Sequence, residues 1–141
     1  MGKSRLKGGM EAQDRTEKVL ILVVERDPHI KKLERFFLEE AGYRVEFADD
    51  GVQGLERARA LVPRILVTEI LLPRLDGLRV CRALKSDSAT KHIVVLVFSI
   101  LAAEDRALEA GADAFLHKPL DDARLVDTVA TLLRDRGMVT S

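Results

Sequence analysis

Five short segments rich in apolar residues recur along the chain, and a helix-length segment follows each of them. The runs at 19–24 and 93–98 show no alternation of polar and apolar positions, which is typical of strands that helices cover on both faces. In the last segment, Leu125, Val129 and Leu132 follow helical spacing. The pattern therefore predicts five strands alternating with five helices, with strands at 19–24, 45–48, 65–67, 93–98 and 114–116.

The first helix has clear start and stop signals. Asp27 can cap it, and Pro28 fits the first helical position because it loses no needed N–H there. Gly42 is the expected stop. We predict that the helix turns one apolar stripe toward the core, formed by Leu33, Phe36, Phe37 and Ala41.

Strands that alternate with helices form a parallel sheet through right-handed crossovers. We therefore predict an α/β fold, a doubly wound five-stranded parallel sheet of order 2-1-3-4-5 with helices on both faces. Its ligand crevice opens between strands one and three. We expect one domain at 18–136, preceded by a disordered tail or non-native remnant at 1–17 and followed by a short tail at 137–141.

Composition narrows the classes of function. The 141 residues include 23 basic and 23 acidic side chains, so no overall field favours nucleic acid or an anionic membrane. The single cysteine, Cys81, excludes an internal disulfide and fits a reducing compartment. No apolar stretch reaches transmembrane length. We expect a cytoplasmic domain without nucleic-acid or membrane partners.

Polar side chains follow the predicted strands one, three, four and five. Because the carboxyl ends of parallel strands meet at one sheet edge, we expect these side chains to lie close together. Carboxylates, a hydroxyl and a lysine at one edge suit phosphate and a hard cation such as Mg²⁺. These candidate residues are Glu25, Arg26, Asp27, Glu69, Ser99 and Lys118.

Residues 18–135 resemble the receiver domain of two-component response regulators. The resemblance rests on the acidic loop after strand one, the segment 72–77, Ser99, the segment 111–113 and the pair Lys118-Pro119. In that family an Asp after strand three accepts a phosphoryl group from a histidine kinase, and two acids after strand one help to hold Mg²⁺. The resemblance implies that Ser99 and Lys118 contact the phosphoryl group, and that the Lys118–Pro119 bond is cis.

The sequence departs from the family pattern at the expected phosphorylation site. Glu69 stands at the phosphoacceptor position, which relatives fill with Asp, and Glu25 is the first acid of the pair. Arg26 replaces the second acid with the opposite charge, and a guanidinium there repels Mg²⁺. Ile100 follows the strand-four hydroxyl where the family has a small residue, so we expect it to crowd the site.

We therefore expect an atypical pseudo-receiver, not an enzyme, in which Arg26 replaces the metal ion. The longer Glu69 partly mimics a phosphorylated Asp by reaching toward Ser99 or Lys118. Simple degeneration, leaving ordinary surface ion pairs, stays an alternative. Asp27 is either a helix cap or a substitute metal ligand. We expect no bound metal, with Glu25, Asp27 and Glu69 as the ligands if one binds.

A still phosphorylatable single-domain response regulator, receiving phosphate from a histidine kinase at Glu69 with Mg²⁺, is the alternative function. In either case we expect a stand-alone signalling module whose partner is a histidine kinase or a downstream effector. The resemblance implies that this partner, or a second copy in a homodimer, uses the face made by helix four, strand five and helix five. Phe115 occupies the family's aromatic switch position there, and a half-buried strand aromatic is the plainer interpretation.

Cofactor-binding modules of similar architecture fit less well. A flavin mononucleotide site needs a phosphate loop rich in Ser, Thr and Gly after strand one, and segment 25–28 lacks it. A cobalamin-type motif is half present in Asp27 and His29, but Lys32 stands where Gly is required. We expect no cofactor, which an absorption spectrum of the purified protein tests.

Overall fold

The computed structural model describes residues 18–136, so the predicted tails at 1–17 and 137–141 lie outside the described part. Strands and helices alternate along the whole described chain, as the hydrophobic pattern predicts. The strands are β1 (Leu20–Val24), β2 (Arg44–Ala48), β3 (Ile65–Thr68), β4 (Val94–Ser99) and β5 (Ala114–His117). The helices are α1 (Pro28–Glu40), α2 (Gly51–Leu61), α3 (Gly77–Lys85), α4 (Glu104–Glu109) and α5 (Asp122–Asp135).

All neighbouring strands pair in parallel, in the order β2-β1-β3-β4-β5. The predicted doubly wound fold and its strand order are confirmed. Val24 pairs with Thr68, and Thr68 pairs with Val97, so the three central strands end close to one another. This register brings the segments that follow β1, β3 and β4 to one edge of the sheet.

Two apolar clusters cover the two faces of the sheet. Residues of α1 and α5, among them Leu38 and Leu125, bury one face. Residues of α2, α3 and α4, among them Ala58 and Cys81, bury the other. Burial raises the pKa of the Cys81 thiol to about 11, so this cysteine acts as a small buried apolar residue. Among the described residues, no helix combines the length and hydropathy needed to cross a membrane.

The helix boundaries follow from capping side chains. Asp27 accepts hydrogen bonds from the backbone N–H groups of His29 at 2.9 Å and Ile30 at 3.4 Å, so it is the helix cap that one of our two interpretations gave it. Gly42 ends the first helical segment with a φ of +98°, a conformation that an L side chain rarely adopts. Asp50, Asp76 and Asp121 cap α2, α3 and α5 in the same way as Asp27.

The predicted inward face of α1 is wrong. Leu33 and Phe36 are 43% and 58% exposed, whereas Glu34 and Leu38 are buried at 1% and 0%. The helix faces the sheet along an i, i+4 stripe that contains Glu34. Because a charged residue occupies one position of the buried stripe, hydropathy alone favours the neighbouring apolar stripe instead.

Candidate functional site

Glu69 directly follows β3, at the start of a tightly folded loop. The N–H of Gly77 donates to the carbonyl of Ile70 at 2.9 Å, which brings the start of α3 back onto the end of the strand. A Cβ atom on Gly77 would lie only 2.0 Å from the carbonyl oxygen of Glu69. Glycine therefore permits this close approach, which fixes the backbone that carries Glu69.

The carboxylate of Glu69 is 4% exposed and accepts hydrogen bonds from the surrounding loops. Its Oε2 atom accepts from the hydroxyl of Ser99 and from the N–H groups of Ile70 at 2.6 Å and Leu71 at 3.1 Å. Its Oε1 atom accepts from the N–H of Ile100 at 3.3 Å. Donors from both the β3–α3 and the β4–α4 loops therefore hold this carboxylate.

Lys118 bridges two buried acids at the same edge. Its ammonium lies 2.7 Å from Glu25 Oε1 and 2.9 Å from Glu69 Oε1, and the three side chains are between 3% and 11% exposed. The peptide bond between Lys118 and Pro119 is cis, as the resemblance implies. The lysine also lies 5.5 Å from the centroid of the Phe98 ring beneath it.

The pKa directions follow from this network. Burial alone would raise the pKa of Glu69, but the hydrogen bonds from Ser99 and Lys118 outweigh burial and lower it. Burial alone would lower the pKa of Lys118, but its bonds to Glu25 and Glu69 raise it. Both groups are therefore held in their charged forms.

Glu34 is a fourth buried ionisable group near this edge, and the sequence analysis did not single it out. Its Oε1 atom has no hydrogen-bond partner among residues 18–136. Burial raises the pKa of Glu34 well above its usual range, Glu25 and Glu69 add to the rise, and Lys118 opposes it. A carboxyl without a donor in such surroundings favours its neutral form.

Arg26 does not take the place that we predicted for it. Its side chain is exposed and forms no ion pair with any described residue, so it does not act as the internal cation. The two neighbouring residues in the loop after β1 differ in burial, since Glu25 is 2% exposed and Arg26 is exposed. Glu25 turns inward to Lys118, and Arg26 turns toward solvent.

A cavity of about 500 Å³ lies over the carboxylates. Arg26, Asp27 and Pro119 line its rim together with the acids beneath, and apolar side chains complete the wall. Ile100 belongs to this wall but is 62% exposed, so its side chain extends to the rim. The remaining apolar lining residues are Ile30 and Leu71.

The β4–α4 loop has a contact that the sequence did not predict. His117 Nε2 lies 2.8 Å from the carbonyl oxygen of Ile100, and the His117 ring stacks on Phe115 with 6.4 Å between ring centroids. Phe115 is half-buried against the cluster on the α2, α3 and α4 side. The end of β5 therefore touches both the loop that follows Ser99 and the half-buried aromatic.

The sequence profile described as the response regulator receiver domain matches residues 21–130. This chain belongs to the response regulator receiver family. Among curated proteins, the receiver is 38% identical over 117 residues to the DNA-binding dual master transcriptional regulator RpaA of Synechocystis, covering 81% of this chain and 48% of RpaA. It is 42% identical to the response regulator MprA of Mycobacterium ulcerans, covering 82% of this chain and 50% of MprA. The chain thus spans about half the length of these relatives.

Solved structures agree on the fold. The receiver domain of a signal transduction histidine kinase from Syntrophus aciditrophicus superposes with a TM-score of 0.77 at 32% identity, covering 83% of this chain and 91% of that chain. The chemotaxis response regulator CheY4 of Vibrio cholerae gives a TM-score of 0.77 at 24% identity, covering 82% and 99%. This second likeness supports the fold alone.

The donor set of this receiver does not fit the Mg²⁺ ion that the family implies. Mg²⁺ needs near-octahedral oxygen ligands, whereas Glu25 and Glu69 both direct an oxygen at the Lys118 ammonium. Arg26 at the rim of the cavity carries the charge opposite to that of a metal ligand, and Asp27 Oδ1 is used as a helix cap. No group of three or more His, Cys, Asp or Glu residues within 18–136 is arranged to hold a metal.

Proposed function

We propose that this receiver domain is a signalling module that acts by contact with another protein. In this proposal Glu69 holds the sheet edge at the carboxyl ends of β1, β3 and β4 in one state. The observation that carries the proposal is the environment of the Glu69 carboxylate. It accepts hydrogen bonds from Ser99 and Lys118, the two side chains that the family resemblance assigns to the phosphoryl group. The longer side chain of Glu69 places its own oxygens where these donors converge.

Charge balance supports the same proposal. Glu25 and Glu69 carry two negative charges in a buried site, and Lys118 neutralises one of them at short range. The exposed guanidinium of Arg26 adds positive charge at the mouth of the cavity, where an approaching divalent cation would meet it. We infer that Mg²⁺ binds weakly between Glu25 and Glu69, and that Mg²⁺-dependent phosphoryl transfer to Glu69 is correspondingly slow.

Receiver domains interact with histidine kinases and effectors, and we propose such a protein partner for the face formed by α4, β5 and α5. A cavity of about 580 Å³ on this face is lined by Phe115, His117 and the first turn of α4. That turn mixes the charges of Glu104, Asp105 and Arg106, which favours a partner selected by electrostatic complementarity. The DNA binding in the name of RpaA describes that protein, and the cytoplasmic location stays a prediction.

A phosphodonor assay tests the proposal. Purified wild type, Arg26→Asp and Arg26→Asp/Glu69→Asp are incubated with Mg²⁺ and acetyl phosphate, and intact mass is measured. We expect a gain of one phosphoryl group only in the double variant, because it restores both a metal-ligand carboxylate and the shorter acceptor. A matched Arg26→Asp/Glu56→Asp variant, which shortens an exposed glutamate on α2, is the control and stays unlabelled.

Two results would contradict the proposal. Efficient Mg²⁺-dependent labelling of wild type, mapped to Glu69 by peptide sequencing, supports the alternative of a still phosphorylatable receiver. Equal labelling of the double variant and the Glu56 control places the acceptor elsewhere. Circular dichroism spectra confirm that each variant is folded before its labelling is compared.

A further inference from the structure

The exposed side of α1 carries an apolar strip that no described residue covers. Phe36 is 58% exposed and Leu33, one turn earlier, is 43% exposed. The ring of Phe37 packs edge-on against Phe36 with 5.4 Å between centroids. Large aliphatic and aromatic side chains exposed together on one helix are typical of a surface that contacts another protein.

Two unpaired charges of opposite sign flank Phe36. Lys32 lies one turn before Phe36 and Glu40 one turn after it, both are exposed, and neither forms an ion pair with a described residue. Two other basic residues on this helix already have acidic partners within the domain. Lys31 pairs with Asp49, and Arg35 pairs with Glu39 at 3.4 Å.

The order of positive, aromatic and negative side chains is self-complementary. When two copies of a helix pack antiparallel about a two-fold axis at position 36, each residue faces the one equally distant on the other side. Lys32 then faces Glu40 of the second copy, and Glu40 faces its Lys32. Each pair lies four residues from the axis, or about 6 Å along the helix at 1.5 Å per residue.

We propose that α1 is the contact surface of a homodimer, in which two α1 helices pack antiparallel with Phe36 at the two-fold axis. The dimer buries both Phe36 rings and both Leu33 side chains, and it forms two Lys32–Glu40 ion pairs between the copies. This surface is centred on α1 and meets the α4, β5 and α5 face only along the first turns of α5.

A groove beside Phe36 is suited to receive a basic side chain from the second copy. Its volume is about 380 Å³, and α5 closes it on the far side. Three acidic residues and no basic residue are among those lining it, so it favours a positive charge such as Lys32 of the second copy. The acidic residues are Glu40, Asp122 and Asp127.

Sedimentation equilibrium over about 1 to 200 µM tests the dimer, because a contact along one helix buries less than the roughly 1,200 Å² of a standard interface and is expected in the micromolar range. Replacing the central aromatic in Phe36→Ser should raise the dimer Kd about tenfold or more. Lys32→Glu and Glu40→Lys should each do the same, because each creates two like-charge contacts.

The charge-swap variant Lys32→Glu/Glu40→Lys decides the register, since re-forming both pairs should bring the Kd at least about threefold below that of either single variant, while Asp122 and Asp127 in the groove keep it above the wild-type Kd. Reversing a distant exposed charge in Glu56→Lys on α2 is the matched control and should leave the Kd unchanged. The proposal is overturned by a monomeric wild type across the range, even one that binds another protein through α1. A dimer that resists the Phe36→Ser change, or a swap variant whose Kd is no lower than that of the single variants, also overturns it.

Discussion

The ammonium of Lys118 lies 2.9 Å from Glu69 Oε1, and both side chains are almost completely buried. The same ammonium lies 2.7 Å from Glu25 Oε1, so one lysine holds the two carboxylates that follow β1 and β3. Removing one member of a buried ion pair leaves an uncompensated charge in a poorly solvated site. Lys118 is therefore the residue on which this edge of the sheet depends most.

Replacing this lysine by a residue of similar length but no charge should destabilise the fold strongly. We expect Lys118→Met to lower the free energy of unfolding by about 3–5 kcal/mol, because Glu25 and Glu69 lose their shared cation. Urea unfolding followed by circular dichroism measures the loss. Lys91→Met at an exposed position is the control and should change stability by less than about 0.5 kcal/mol. Equal effects of the two changes would show that the buried network adds no stability.

The buried carboxyl of Glu34 should make the protein less stable as pH rises. Its pKa is raised in the folded state, so the stability it contributes is fully present below the unfolded value of about 4.3 and is lost as pH rises through the folded pKa. We expect the free energy of unfolding of Glu34→Gln to equal that of wild type near pH 4. Above pH 4, the free energy of unfolding of the variant should exceed that of wild type by up to about 1.4 kcal/mol more for each pH unit. Urea unfolding at a series of pH values measures this difference, and a pH-independent difference would contradict the prediction.

The pKa shift of Glu69 acts in the opposite direction. Because its folded pKa is lowered, its contribution is present above the unfolded value of about 4.3 and is lost as pH falls through the folded pKa. We expect Ser99→Ala to cost about 1–3 kcal/mol near neutral pH, since Glu69 loses a buried donor and the Leu101 N–H loses its 3.1 Å acceptor. Acid unfolding of this variant should begin at a higher pH than in wild type. The control Ser88→Ala, at an exposed position, should change neither the free energy of unfolding nor the pH at which acid unfolding begins. Equal changes in the two variants would show that the Ser99 hydroxyl does not stabilise the Glu69 carboxylate.

A second ionic contact ties the far end of the sheet together. Asp113 Oδ2 accepts from the Val95 N–H at 2.8 Å and from Lys85 at 2.9 Å, and Oδ1 pairs with Arg136 at the end of α5. Asp113→Asn retains the shape but loses the charge, and we expect a cost of about 1–3 kcal/mol in chemical unfolding. Asp105→Asn on the exposed start of α4 should cost less than about 0.5 kcal/mol, and an equal cost would contradict the prediction.

The positions of the strands and the helix starts could be predicted because local chemistry fixes them, whereas the strand order followed from the class of fold. Uninterrupted aliphatic runs mark strands that are covered on both faces, and Asp27 before Pro28 marks a helix start. The α1 face could not be predicted in the same way, because Glu34 occupies the buried stripe while Phe36 lies outside. A burial that opposes hydropathy is decided by tertiary packing, which the periodicity of one helix does not contain.

The candidate site shows the same division. Parallel strands place Glu25, Glu69 and Ser99 at one edge, and the sequence alone predicts that arrangement. The sequence does not predict which cation neutralises the acids, since Arg26 and Lys118 each follow the carboxyl end of a predicted strand. Only the direction of each side chain distinguishes them, and it turns Lys118 inward and Arg26 outward.

The most direct measurement is a crystal structure of the wild-type protein soaked in Mn²⁺, which replaces Mg²⁺ and is located by its anomalous scattering. We predict no anomalous peak between Glu25 and Glu69, with the Lys118 ammonium bridging the two carboxylates. An Mn²⁺ ion seated between these carboxylates, with Lys118 displaced from both, would contradict the proposal that Lys118 and Glu69 take the place of a metal-dependent site.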